Sequence, residues 1–237
     1  MEIMRQSEHP PDAIYVAVGG GGLIAGIAAY VKQLWPETEV IGVEPVDADA
    51  MTRSLKAGKR IELDQVGLFA DGVAVRQVGE HTFALAQRHV DRMVTVDTDA
   101  TCAAIKDVFE DTRSILEPAG ALALAGLKKD VNTRALRNQR LVAVACGANM
   151  NFNRLRFIAE RAELGEEREA MLAVEIPETA GSLRNLCERL INRSLTEFSY
   201  RMTAGNKAHI FIGVQVDDEQ DRADLVRALD TGGFPCM

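Results

Sequence analysis

Short apolar runs alternate with longer helical patterns along the N-terminal part of the chain. The runs are rich in Val, Ile and Ala, which predicts buried strands at 13–18, 38–43, 93–96 and 140–145. Apolar residues recur at helical spacing over 23–31, 48–57, 79–89, 100–111 and 119–129, and again in a segment ending at Glu163. Strands that alternate with helices favour right-handed crossovers and a mostly parallel sheet.

The pattern changes at the charged run from Gly165 to Glu169, which predicts a solvated linker. We therefore expect two domains, 1–165 and 166–237. The second domain should contain a strand, a helix, two strands joined by a turn at 204–207, and a helix, at 170–176, 181–191, 195–202, 208–216 and 221–229. This β-α-β-β-α order is one strand short of a ferredoxin-like unit.

A run of glycines from Gly19 to Gly22 follows the first predicted strand and precedes a helix that opens at Leu23. Glycine lets the backbone approach a ligand closely, and the first N–H groups of a helix have no partner inside it. The helix dipole adds about 0.3–1 kcal/mol for a nearby anion. The stretch therefore predicts a phosphate cradle. Two alternatives stay open: a flexible turn, and a nucleotide site using Glu44, although the Gly-x-Gly-x-x-Gly spacing is absent.

Composition narrows the class of protein. The chain has 237 residues, of which 47% are apolar, so it can bury a core. Its formal net charge of −8 argues against a nucleic-acid partner. The sequence contains no uncharged apolar run long enough to predict a membrane span, and its first residues do not resemble a signal peptide. The cysteines are scattered, which favours a reducing cytoplasm over a disulfide framework or a zinc site; they are Cys102, Cys146, Cys187 and Cys236.

Several motifs occur in an order that resembles a known family. They are Gly19–Leu23, Gly42–Glu44, Phe69–Val75, Glu117–Ala121 and Cys146–Asn149. Together they resemble the pyridoxal-phosphate-dependent threonine/serine dehydratases of the tryptophan-synthase-β-like fold. The β-α-β-β-α tail narrows the resemblance to biosynthetic threonine dehydratases with ACT-like regulatory subdomains. It implies an α/β fold: the C-terminal half of a parallel-sheet catalytic domain, followed by an α+β ACT-like (ferredoxin-like) module.

The resemblance assigns cofactor-binding roles by matched position. Gly19, Gly20, Gly21, Gly22 and Leu23 would hold the phosphate of pyridoxal 5′-phosphate.

Cys146 would face the pyridine nitrogen of the same cofactor. A thiol is a weak, neutral donor, which favours rapid loss of a β-hydroxyl over reactions that need a long-lived carbanion. From the residues alone, Cys146 is equally well a small buried cysteine at a strand end. Asp71 would orient the Phe69–Val75 loop near the cofactor.

A metal site is not expected. Glu44 and the carbonyl of Ala48 match cation-binding positions of related serine racemases, but Ala50 stands where those relatives have Asp. One carboxylate and one carbonyl make a poor site for a hard cation, so we predict that Glu44 faces solvent. The histidines are expected to be ordinary surface or core residues; they are His9, His81, His89 and His209.

The chain departs from the family in its lysines. The family binds its cofactor as a Schiff base to a Lys in a Ser-x-Lys-x-Arg-type motif N-terminal of the glycine loop, and this sequence has no such motif. Lys32 and Lys56 stand in other contexts, so no catalytic residue is assigned. We predict a fragment that is inactive alone and poorly soluble, because half of a doubly wound sheet exposes a long strand edge.

The function implied by the resemblance is conversion of L-threonine to 2-oxobutanoate and ammonia, the first step of isoleucine biosynthesis. It also implies a cytoplasmic homo-oligomer, specifically a homotetramer. The assembly would be regulated allosterically, with isoleucine and valine as effectors. The resemblance places the turn from Ile176 to Leu183, which contains Gly181, near an effector or a module interface. From the residues alone it is equally well a plain turn between a strand and a helix. Alternatives are a serine dehydratase or racemase of the same fold, and a non-catalytic amino-acid-sensing module.

Overall fold

The computed structural model describes residues 1–165, 169–190, 193–203, 207–217 and 219–236. The chain divides into two compact units, Met1–Ala162 and Glu163–Met237. The predicted linker at 166–168, helix end at residue 191 and turn at 204–206 lie outside the described residues. The domain boundary between residues 165 and 166 therefore stays a prediction.

The first unit alternates helices with strands, as predicted. Its strands are β1 (Ala13–Ala17), β2 (Glu39–Pro45), β3 (Arg92–Val96) and β4 (Leu141–Ala143). Its helices are α1 (Glu2–Gln6), α2 (Gly22–Leu34), α3 (Ala50–Ala57), α4 (Glu80–His89), α5 (Thr98–Thr112), α6 (Pro118–Thr133) and α7 (Leu155–Gly165). Single 3-10 turns lie at Asp71–Val73 and Phe152–Arg154. Helix α1 was not predicted from the sequence.

The strands of the first unit form a parallel sheet in the order β3-β2-β1-β4. Every residue of β1 is buried, and alternate side chains face different cores: Tyr15 packs with residues of α5 and α6, whereas Ile14 and Val16 pack with residues of α2 and α4. A sheet covered on both faces explains the nearly continuous apolar strands and confirms the predicted parallel sheet.

The edges of this sheet are shorter than expected. Among the described residues the edge strands are β3, with 5 residues, and β4, with 3. The strand predicted at 140–145 is shorter in the structure, where only Leu141 to Ala143 pair with β1. The Val144 N–H then donates to the Tyr15 carbonyl at 3.0 Å, and the chain leaves the sheet. The long exposed edge predicted from the sequence is therefore wrong for the described part of the chain.

Local signals set the predicted helix ends. The Asp97 side chain caps α5 by accepting the Ala100 N–H at 2.8 Å. Helix α3 ends at Gly58, which has a φ of 67°, a backbone conformation that favours glycine. The helix after Cys146–Asn149 begins later than expected, because the Phe152–Arg154 turn precedes α7.

The second unit has the predicted β-α-β-β-α order. Its elements are β5 (Glu169–Pro177), α8 (Ser182–Arg189), β6 (Leu195–Thr203), β7 (Lys207–Gln215) and α9 (Glu219–Thr231). The strands are antiparallel in the order β5-β7-β6. An antiparallel bridge joins Cys236 to Val174 of β5. The last described residues therefore lie beside β5, on the side away from β7, where a ferredoxin-like unit places its final strand.

Candidate functional site

The glycine run forms the turn between β1 and α2, at the carboxyl edge of the sheet. The Val18 N–H still donates to the Val43 carbonyl at 2.9 Å, and α2 begins at Gly22. Gly21 caps the helix with a φ of 90°, so this position needs glycine. Ligands of open α/β sheets bind at the carboxyl ends of the strands, so the loop lies where a ligand site is expected.

The start of α2 leaves backbone donors free of intrahelical bonds. The first bond of the helix runs from the Ala25 N–H to the Gly21 carbonyl at 3.0 Å, so the N–H groups of Gly22, Leu23 and Ile24 have no acceptor within α2. Gly20 and Gly22 are exposed, and a Cβ atom at either position would meet no atom within 4 Å. The loop therefore combines donors with open space, as an anion cradle requires.

The N-terminal turn of α4 forms one wall of this cradle. The Thr82 hydroxyl donates to the Gly20 carbonyl at 2.6 Å, and the Gly79 N–H donates to the same oxygen at 3.2 Å. Because the peptide group is planar and trans, the N–H of Gly21 points away from α4. Thr82 thus fixes the orientation of a loop peptide. Sequence reasoning missed it, because an ordinary helical threonine carries no signal of a partner 62 residues away.

The 3-10 turn at Asp71–Val73 forms the second wall. A Cβ atom on Gly19 would lie 2.9 Å from the Val73 Cα, so the two backbones touch. A Cβ atom on Gly72 would lie 2.9 Å from the Ala119 Cβ, at the start of α6. Contact therefore continues from the glycine loop through this turn to α6.

The backbone around Cys146 packs directly against the first turn of α6. A Cβ atom on Gly120 would lie 1.8 Å from the Cys146 carbonyl oxygen, and the Glu117 N–H donates to the Gly147 carbonyl at 3.2 Å. Gly147 has a φ of 80°, which favours glycine. Motifs that lie far apart in the sequence thus form one continuous surface at the carboxyl edge of the sheet.

The Cys146 thiol is half-buried within this surface. Burial raises its pKa above the usual value, and the negative charge of Glu117 raises it further. The thiol is therefore protonated and neutral at neutral pH. A neutral S–H group is a weak hydrogen-bond donor, which suits an aromatic ring nitrogen better than a charged partner.

The prediction that Glu44 faces solvent is wrong, because the side chain is fully buried at 0% exposure. Its carboxylate accepts the N–H groups of Met51 and Thr52, both at 2.8 Å, and the Thr52 hydroxyl at 2.7 Å. Glu44 therefore satisfies the first turn of α3. Its oxygens are occupied by these donors, and Ala48 is itself buried, so the weak cation candidate gains no support.

Burial of Glu44 predicts a pH-dependent stability. Burial raises its pKa to about 7, against the lowering effect of the donors from Thr52 and Met51. The pKa of Glu44 is therefore higher in the folded chain than in the unfolded chain, so the protonated side chain stabilises the fold. This contribution is full below pH 4.5 and is lost as the pH rises towards 7, which lowers the free energy of unfolding by on the order of 2–3 kcal/mol. In Glu44→Gln this loss should vanish. Urea unfolding at several pH values, followed by Trp35 fluorescence, checks the difference; parallel pH profiles for the two proteins would contradict it.

Lys32 lies in α2 and Lys56 in α3, whereas Asp71 lies in the 3-10 turn of the loop 69–75. The Lys32 ammonium contacts Asp91 at 2.8 Å and the Thr38 carbonyl at 2.9 Å, at the amino edge of the sheet, away from the glycine loop. Lys56 is exposed in the last turn of α3. The Asp71 carboxylate accepts a hydrogen bond from Arg154 at 3.2 Å. That contact ties the loop 69–75 to the segment after Cys146.

The histidines do not gather at this surface. His9 and His81 are exposed, His89 is half-buried, and the His209 Nε2 atom lies 3.5 Å from a Glu175 oxygen. In the part of the chain that the structure describes, no three His, Cys, Asp or Glu residues come together as a metal site would need. Over the same residues, no helix is both long and apolar enough to cross a bilayer.

Comparison with protein families places two matches along the chain. Residues 1–147 match the family described as pyridoxal-phosphate-dependent enzyme, and residues 160–237 match the C-terminal regulatory domain of threonine dehydratase. The biosynthetic L-threonine dehydratase of Burkholderia multivorans is 57% identical over 234 residues, which cover 99% of this chain and 46% of that protein. The counterpart from Escherichia coli is 48% identical over 235 residues, 99% of this chain and 46% of that protein. The chain spans about half the length of the curated relatives it matches.

Solved structures show the same similarity. Threonine deaminase isoform 2 from Solanum lycopersicum, in its processed form, superposes with a TM-score of 0.67 at 49% identity, covering 69% of this chain and 45% of that one. Maize serine racemase superposes with a TM-score of 0.60 at 30% identity, covering 68% of this chain and 50% of that one.

Proposed function

The chain belongs to the family of pyridoxal-phosphate-dependent enzymes, and from that premise we propose that it forms the cofactor-cradling part of a threonine dehydratase together with a regulatory unit. The observation that carries the proposal is the glycine loop: N–H groups at the start of α2 have no acceptor within the helix, and they lie beside the open positions of Gly20 and Gly22 on the same surface as Cys146. These features fit a phosphorylated aromatic cofactor, with donors for the phosphate and a neutral thiol for the ring.

The residues then have separate tasks. Gly19 to Leu23 bind the cofactor phosphate through backbone N–H groups and the positive end of the α2 dipole. Thr82 orients the loop peptide by binding the Gly20 carbonyl. The Cys146 thiol keeps its proton and donates weakly to the ring nitrogen. Pyridoxal phosphate, when bound, supplies the electron sink for the reaction, whereas the protein supplies binding and orientation.

The proposed reaction converts L-threonine to 2-oxobutanoate and ammonia. Its support is the match of residues 160–237 to a threonine dehydratase regulatory domain, together with the similarity to biosynthetic dehydratases along the chain. We propose that the second unit belongs to an isoleucine- and valine-responsive module of a cytoplasmic homo-oligomer. The free cysteines are consistent with a reducing compartment.

A serine dehydratase or racemase is the second candidate, favoured by the superposition on maize serine racemase. The higher identity to threonine deaminase and the regulatory-domain match favour threonine as the substrate.

The test joins this chain to the N-terminal segment that precedes the matched region in the Burkholderia multivorans relative, as one polypeptide. With pyridoxal phosphate, we expect 2-oxobutanoate from L-threonine faster than pyruvate from L-serine, and no measurable D-serine. We expect the 237-residue chain alone to be inactive.

Substitution of Lys32 or Lys56 by Ala in the joined protein should leave turnover unchanged, since neither lysine belongs to the proposed cradle. Faster turnover of serine would favour the second candidate. Tight cofactor binding without turnover would favour a non-catalytic sensing module. Turnover by the unjoined chain would contradict the absence of a catalytic lysine from this sequence.

A further inference from the structure

The loop from Phe69 to Val73 is a thin wall between two parts of the proposed site. Val73 is buried against Gly19 of the phosphate cradle, and Gly72 packs on Ala119 beside the Cys146 turn. Its own backbone bonds make one short 3-10 turn: the Val73 N–H donates to the Ala70 carbonyl at 3.0 Å, and the Ala74 N–H donates to the Asp71 carbonyl at 3.2 Å. Such a short turn does not fix its own position, so the contacts around it must do so.

Arg154 makes two contacts to this loop. Its Nη1 atom donates to the Phe69 carbonyl at 3.2 Å and to the Asp71 carboxylate at 3.2 Å. The guanidinium is planar and rigid, so it holds the loop backbone and an acidic side chain in one fixed geometry. Arg154 itself lies between the Cys146 turn and α7.

Helix α7 supplies a rigid support behind Arg154. The Phe157 ring packs on the Phe69 ring with centroids 5.5 Å apart, and Arg161 lies over Phe157 at 5.4 Å. Arg161 also pairs with Asp99 of α5 at 2.8 Å. Ile158 of α7 is buried in the core of the first unit. The loop is therefore held by a helix that is itself anchored.

We infer that Arg154 is a positioning residue that holds the loop 69–73 against the glycine loop and so sets the shape of the cofactor cradle. It links the segment after Cys146, at the proposed ring end, to the wall beside Gly19, at the proposed phosphate end. This inference rests on the proposed function for the identity of the ligand. If Arg154 made only a surface ion pair, its removal would cost little stability and would not change ligand affinity.

The matched control is Arg156 in the first turn of α7. It is exposed and pairs with Glu160 of the same helix at 2.8 Å. Arg154→Gln and Arg156→Gln make the same chemical change, but only the first removes a contact to the loop. Arg154→Lys keeps the charge and can keep one of the two bonds.

Two measurements on the 237-residue chain test the inference. Amide hydrogen exchange over residues 69–75 reports the loop without any ligand, and equilibrium dialysis gives the affinity for pyridoxal phosphate. We expect Arg154→Gln to speed exchange about tenfold and weaken affinity about tenfold. Arg154→Lys should recover part of both effects, and Arg156→Gln should leave both within about twofold.

The partner residue tests the mechanism further. Asp71→Asn should weaken affinity severalfold, and adding it to Arg154→Gln should cost less than the sum of the single effects, because the two side chains share one contact. Asp71→Asn and Arg154→Lys keep the test decisive if Arg154→Gln does not fold, because neither contains that substitution. Additive effects would overturn the inference, as would unchanged affinity in folded Arg154→Gln.

The two proposals fail in different ways. If neither the unsubstituted chain nor the joined protein binds pyridoxal phosphate, the proposed function fails and the inference fails with it. If only the joined protein binds, the same variants are compared in the joined protein. If the unsubstituted chain binds and the Arg154 variants bind equally well, only the inference fails.

Discussion

Alanine at Gly20 or at Gly22 is expected to weaken binding of pyridoxal phosphate at least 100-fold while leaving the fold intact. Both positions are exposed, and a Cβ atom at either would meet no protein atom within 4 Å. We infer that the added methyl would instead take up the open space that the proposed phosphate needs beside the loop. A 100-fold loss corresponds to about 2.7 kcal/mol, close to the value of one or two hydrogen bonds to a charged group.

Gly26 provides the matched control for this prediction. It lies in the same helix, one turn beyond Gly22, is exposed, and a methyl group added there would meet no atom within 4 Å. Gly26→Ala should raise stability by about 0.4–1 kcal/mol and leave affinity unchanged. Equilibrium dialysis with pyridoxal phosphate, with inorganic phosphate as competitor, gives the affinities. Equal binding by the Gly20, Gly22 and Gly26 variants would refute the cradle.

Gly120→Ala is expected to lower the free energy of unfolding of the first unit by about 3 kcal/mol. The new Cβ atom would lie 1.8 Å from the Cys146 carbonyl oxygen and 2.6 Å from the Gly147 carbonyl oxygen. Both are backbone atoms, so no side-chain rotation relieves the clash. Either α6 or the Cys146 turn must move, which breaks the bond from the Glu117 N–H to the Gly147 carbonyl.

The measurement is urea unfolding followed by tryptophan fluorescence. Trp35 is the one tryptophan of the chain and lies in the first unit, so its signal reports the unit that contains Gly120. Gly26→Ala again serves as the control, because it adds the same methyl to a helix without a clash. An unfolding free energy for Gly120→Ala within about 0.5 kcal/mol of the unsubstituted chain would contradict the prediction, since surface-like substitutions fall within that range.

The candidate site was partly accessible from the sequence. The glycine loop carried a strong local signal, because consecutive glycines between a strand and a helix need a reason. Cys146 gained its proposed role from the order of motifs, and the structure adds the cause of its neutral state, which is burial beside Glu117. Thr82 and Arg154 carried no such signal, because their partners lie 62 and 83 residues away.

Glu44 illustrates why the sequence misled at one position. A glutamate directly before a proline at a strand end has the usual pattern of a solvated residue. In the folded chain, the first turn of α3 packs over the end of β2. The N–H groups of Met51 and Thr52 in that turn require an acceptor, which Glu44 provides. Only the arrangement of the helix against the strand reveals that need.

The sequence by itself determined the order and type of the helices and strands from β1 onward, the parallel sheet, the β-α-β-β-α unit and the glycine loop. These depend on apolar periodicity and on glycine, proline and capping residues, which act within a few positions along the chain. The tertiary structure alone decided which distant groups meet: Tyr15 with Asp130 at 2.8 Å, Gly120 with Cys146, and Arg154 with Asp71. Such contacts depend on how the packed elements approach one another, and close packing has no periodicity along the chain from which it can be inferred.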